Sequence, residues 1–286
     1  MTAQADRSII LAALLGAFVP AVSAGAVLLA ERIAGRRATP GWGSPLAIGM
    51  AVMSGYVVLL GWPPLSPEPT VKQWVFYVAL VGGLLGSYEV LAQKRGMPLR
   101  WVLSLAVPYF VLDFMRRHHW GVLESALWVG ALGAVLFGAW VGAEALEGRR
   151  GWAARVGGWA TCTALAGGAY AFSGSRDLGQ LAGTLAAGLA ACALFALWEP
   201  EKPRPVVGTM ILVYMALLWA ARFASDLSVP SFALLLAAPL ASWGAELLPP
   251  ERARVRAALD IALPALLSAA ALAIELALAP APTPYG

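Results

Sequence analysis

ALGAVLFGAWVGAEALEGRRGWAAR, residues 131–155, is the stretch whose reading decides the fold. It is an apolar helix with small residues at helical spacing, Glu144 and Glu147 near its end, and a cluster of Arg at the following turn. The same order recurs at 26–37 with Glu31, 80–95 with Glu89, 189–204 with Glu199 and 235–256 with Glu246. With Glu144 standing for the quoted stretch, successive Glu positions lie 58, 55, 55 and 47 residues apart. That stride is the length of two membrane-crossing helices and their turns, because one span needs about 20 predominantly apolar residues. An internal repeat of helical hairpins in a bilayer is the expectation.

Composition agrees. Of 286 residues 60% are hydrophobic and only 13% charged, and the mean hydropathy is +0.72, which sets the chain apart from ordinary soluble domains. The net charge of +4 and pI near 9.3 do not point to nucleic acid, because the cations sit in short turns between apolar runs. Seventeen of the 20 basic residues are Arg, as in a GC-rich bacterial genome. Cys162 and Cys192 fall in the middle of apolar runs and read as small apolar residues, with no spacing for a metal site or a disulfide framework.

Ten spans are expected, at about 8–30, 44–62, 72–92, 98–115, 122–146, 151–172, 178–198, 206–223, 230–248 and 257–279, with a flexible tail at 280–286. The first run contains Val22-Ser23-Ala24, which resembles a cleavage site. It is expected to stay, because the leading MTAQADR carries no net positive charge and the apolar run continues past the site. The Trp-Pro-Pro after the second run and the Pro-rich turn at 200–205 stop their helices, and Pro108 is expected to kink the fourth. The turns after odd-numbered runs and their flanks hold 14 Lys and Arg against 6 elsewhere. Cytoplasmic turns collect Lys and Arg, so both termini are expected outside. Trp62, Trp74, Trp101, Trp120, Trp152, Trp198, Trp219 and Trp243 near run ends fit an interfacial aromatic belt.

Four kinds of sequence signal bear on recognition or chemistry. The first comprises the acids of the turn-proximal and last runs. An anion near a helix C-terminus is disfavoured by the dipole, so Glu31, Glu89, Glu144, Glu199 and Glu246 read either as headgroup-level partners of nearby Arg or as pathway groups, Glu89 and Glu144 foremost. The last run places Asp260, Pro264, Ser268, Ala271 and Glu275 on one helical face, a polar and small stripe expected to face protein or water. Asp260 and Glu275 complete the pathway candidates.

The second group is an outer set: Asp113, Arg116, His118 and His119 in one turn, Arg176 and Asp177 in another, Arg222 and Asp226 in a third. It is either an anion-gripping cluster or a rim of separate ion pairs. The third is the set of GxxxG pairs Gly82/Gly86, Gly138/Gly142 and Gly179/Gly183, which suit close helix packing within the chain or between copies. The fourth, a metal or nucleophile motif, is not found: HExxH, CxxC, GxSxG and the phosphate-binding GxxxxGKS/T are missing.

The expected fold is an all-α polytopic membrane protein of ten spans as tandem hairpins, in a bacterial cell membrane, without cofactor. The expected partners are the lipid bilayer and either a membrane-protein partner or a second copy. A small-solute or ion transporter is the leading functional reading. A non-catalytic membrane subunit or scaffold comes next, and a lipid-handling membrane enzyme third.

Overall fold

The computed structural model describes residues 2–34, 41–63, 70–92, 96–147, 152–198, 205–248 and 252–279, and among these all regular structure is helical. In chain order the helices are α1 (Thr2–Ala34), α2 (Gly43–Leu60), α3 (Val71–Ala92), α4 (Met97–Val111), α5 (Asp113–His118), α6 (Val122–Glu147), α7 (Trp152–Phe172), α8 (Arg176–Trp198), α9 (Val207–Ala224), α10 (Val229–Ala237), α11 (Trp243–Glu246) and α12 (Ala253–Leu278). A 3-10 turn, Ala238–Leu240, follows α10.

Among the described residues seven helices are long and apolar enough to cross a membrane: α1 over Leu15–Ala34, α2, α3, α6, α8, α9 and α12. The chain is a multi-pass helical membrane protein whose apolar spans contact the bilayer. The three remaining runs differ for stated reasons. The run at 98–115 divides at Leu112 into α4 and α5. The run at 230–248 divides into α10, the 3-10 turn and α11. Helix α7 is 21 residues long, but Arg155, two Thr and four Gly dilute its apolar content.

Helix α9 forms the centre. Every residue from Thr209 to Ala221 is buried, with α2, α3, α4, α6, α8 and α10 packed around it. A helix apolar on all sides belongs inside the bundle. Around this axis α7 packs on α8 and α12, α1 on α2 and α8, α4 on α6, and α10 on α12. Lipid supplies no hydrophobic drive for such contacts, so they depend on close backbone approach at small residues. A Cβ at Gly86 would lie 2.6 Å from Pro45 Cβ, and one at Gly179 would lie 2.6 Å from the Gly167 oxygen. A Cβ at Gly158 would collide with the Asp260 carbonyl oxygen.

Three prolines shape the interior by the carbonyls they leave without a helical donor four residues upstream. Pro239 frees Leu235 O, which accepts the Tyr214 hydroxyl of α9 at 2.8 Å. Pro264 frees Asp260 O, which accepts the Ser242 hydroxyl at 3.4 Å. Pro108 frees Ser104 O, against which α6 closes so tightly that a Cβ at Gly133 would stand 2.9 Å away. Side chains and glycines of neighbouring helices thus satisfy or cover backbone that lipid could not solvate.

Candidate functional site

The end of the bundle at which α3 and α6 finish holds two buried guanidinium groups. Arg100, in the first turn of α4, is 4% exposed. Its Nε and Nη2 donate to the two oxygens of Glu89 at 2.8 and 2.6 Å, and its Nη1 donates to Glu144 Oε2 at 2.5 Å. Its guanidinium lies 5.2 Å from the centroid of the Trp140 ring. Glu89 also accepts the Gly96 amide at 2.9 Å, which fastens the α3–α4 connection. Glu89 and Glu144, singled out from sequence, therefore meet through a residue that reads from sequence as a turn cation.

Arg155, in the first turn of α7, is fully buried. It donates to Asp260 Oδ1 at 3.2 Å, to Glu246 Oε1 at 2.8 Å and to the Leu146 carbonyl. Arg256 donates to Glu246 Oε2 at 2.5 Å. The end of α6 thus lies between both networks, Glu144 holding Arg100 and Leu146 O holding Arg155. Together the two networks fasten α3, α4, α6, α7, α11 and α12. Glu31 accepts the Gly41 amide, and Glu199 lies outside the described residues.

Halfway along α7, α9 and α12 a group of polar side chains meets in the interior. Ser268 Oγ donates to Cys162 Sγ at 3.1 Å, and Cys162 Sγ lies 3.7 Å from Tyr214 Oη. Tyr214 in turn donates to Leu235 O, just before the break in α10. Trp159 Nε1 donates to Pro239 O at 3.0 Å on the far side of that break. Tyr170 stands two turns from Cys162 on the same face of α7, and its buried hydroxyl has no hydrogen-bond partner among the described residues. The buried residues of α12 are Asp260, Pro264, Ser268, Ala271 and Glu275, the five of the sequence stripe. Asp260 joins the Arg155 network at one end. At the other, Glu275 accepts the Ser228 amide at 3.1 Å and the Ser228 hydroxyl at 2.6 Å.

At the end of the bundle marked by Asp113, the residues of the outer set fall into separate groups. Asp113 takes Arg116 and Arg117 of its own short helix, each at 2.7 Å. Asp177 pairs with Lys72 of α3. The Asp226 amide donates to Ser173 O at 3.1 Å, and Arg222 Nη1 donates to Leu227 O at 3.1 Å. His118 and His119 lie beside the Phe114 ring, with centroids at 4.9 and 5.3 Å. Arg176 begins α8 next to Asp177. Two cavities open at this end, one of about 700 Å³ between α4 and α6 and one of about 350 Å³ between the start of α3 and α5.

The GxxxG glycines differ in use. Gly82 faces Thr209 and Leu212 of α9, Gly86 faces Pro45, Gly142 faces Leu240, and Gly179 meets Gly167. Gly138 and Gly183 face open space.

Sequence reasoning missed Arg100, Arg155 and the Tyr214–Leu235 contact. A signal for the first two was present: each Arg stands inside the first turn of an apolar helix, past the basic turn itself. For Tyr214 no local signal exists, because its acceptor is 21 residues away on another helix. No family model matches the chain, and neither a curated protein nor a solved structure shows significant similarity to it.

Proposed function

We propose that the chain is a small-solute or ion transporter of permease type, with ten spans as tandem hairpins and both termini on the outer face of a bacterial cell membrane. The observation that carries this reading is the break in α10 within the bundle. Helix breaks at membrane depth are tolerated only where protein or a cavity surrounds them, and in transporters they mark the solute level. Here Tyr214, Cys162 and Ser268 supply hydroxyl and thiol groups beside the break. The two Arg-centred networks act as the closure on the cytoplasmic side, while the cavities lie on the outer side. Closure and opening then amount to breaking one set of ion pairs and forming another, the kind of two-state element that alternating access requires.

Proteoliposomes loaded against an imposed proton or sodium gradient and offered a panel of amino acids, sugars and inorganic ions test this reading. Uptake of at least one solute, abolished by Arg100→Ala, is expected. A second reading, a non-catalytic membrane subunit or scaffold, is favoured by the apolar packing around α9 from Thr209 to Ala221. Absence of uptake across the panel, together with a stable partner on purification in mild detergent, would select it.

A further inference from the structure

We propose that the wedge between α4 and α6 binds one glycerophospholipid of the surrounding bilayer, its acyl chain in the slot and its phosphate on Arg116. The inference is independent of the transport reading.

The wedge has a physical origin. Helices α4 and α6 cross most closely where Gly133 meets Ser104 O and Leu105, and beyond that crossing, toward the Asp113 end, they splay apart. The resulting space of about 700 Å³ is walled by apolar side chains, among them Leu105, Tyr109, Phe110, Ala126 and Val129. That volume is of the order of a lipid or drug-sized ligand site. Leu105, Tyr109 and Phe110 are each 40% exposed or more, on helices of a bilayer protein, so the slot opens to hydrocarbon.

Polar atoms are confined to the rim, which is what makes the slot suit an amphiphile rather than a plain hydrocarbon. Arg116 is held rigidly: Nε donates to Tyr109 O at 3.0 Å, Nη2 donates to Asp113 at 2.7 Å, and the guanidinium lies 3.4 Å over the Tyr109 ring. Among the described residues its Nη1 is left uncommitted, as are Trp120 Nε1 and Ser125 Oγ, and all three residues line the wedge. Helix α6 begins at Val122, also in the lining, so its first-turn amides and positive dipole end add to the attraction for a phosphate. The phosphodiester that glycerophospholipids carry is therefore the group these donors fit.

The test is native mass spectrometry of the full chain released from nanodiscs of equal phosphatidylglycerol and a chain-matched glucosyl diacylglycerol, which has no phosphate. Wild type is expected to retain one phosphatidylglycerol, preferred about tenfold over the glucosyl diacylglycerol, the scale of one or two charge-assisted hydrogen bonds. Arg116→Gln is expected to abolish the preference. Ala126→Trp, which fills the slot from α6, is expected to abolish retention of either lipid. Arg117→Gln removes the same charge from the neighbouring cavity and is expected to leave the preference intact, while unchanged melting temperatures show that each variant is folded. Retention that is equal for the two lipids in wild type, or that survives both Arg116→Gln and Ala126→Trp, would overturn the proposal.

Discussion

The Tyr214 hydroxyl donates to the Leu235 carbonyl at 2.8 Å, the carbonyl that Pro239 deprives of its helical donor. The break in α10 and the tyrosine of α9 therefore form one device, in which a helix is interrupted and the exposed backbone is taken up by a neighbour.

Tyr214→Phe should accordingly destabilise the protein by about 1–2 kcal/mol, read as a lower melting temperature in detergent. Pro239→Ala restores an amide where Leu235 O needs one. In that background the Tyr214→Phe cost should fall by at least half, a coupling that a double-mutant cycle measures directly.

Removing the guanidinium of Arg100 leaves Glu89 and Glu144 facing each other in a buried site. Arg100→Ala should cost about 3–5 kcal/mol, whereas Arg100→Ala combined with Glu89→Gln and Glu144→Gln should recover much of that loss. Melting curves of the two variants side by side give the comparison. Equal losses would show that the carboxylates are compensated by other groups.

These two sites also show what the linear sequence reveals of this fold. The stripe on α12 is legible because i, i+4 spacing places Asp260, Pro264, Ser268, Ala271 and Glu275 on one face whatever surrounds the helix, and those are its buried residues. Arg155 is not legible as an interior charge, because its partners Glu246 and Asp260 lie 91 and 105 residues away. Pro239 and Pro108 are visible, but whether a proline kinks a membrane helix or ends it depends on a neighbour able to satisfy the freed carbonyl. Tertiary structure alone supplies Tyr214. For the same reason seven helices among the described residues are long and apolar enough to cross, while α4 and α10 are cut short near their prolines.

Glycines give a contrast independent of charge. Gly158→Ala should severely impair folding or expression, because its Cβ would meet the Asp260 backbone oxygen, which cannot move without shifting α12. Gly138→Ala, at a position with nothing within 4 Å, should change the melting temperature little or raise it, since alanine favours the helix by about 1 kcal/mol. Expression yield and melting temperature of the pair provide the check.

The proposed topology makes its own demand. A single cysteine at Arg150, in a background where Cys162 and Cys192 are Ser, should resist a membrane-impermeant maleimide in intact cells and react after permeabilisation. A cysteine at His119 should react in both. Labelling of the Arg150 site from outside would invert the orientation and place the Arg-centred networks on the outer face.

Gradient-driven uptake tests the central claim most directly. Purified protein reconstituted into liposomes should accumulate at least one solute of the amino-acid, sugar and ion panel under a proton or sodium gradient, and Arg100→Ala should abolish that accumulation, as should its combination with Glu89→Gln and Glu144→Gln, which recovers the stability. Folded, monodisperse wild type that accumulates none of them under either gradient would contradict it.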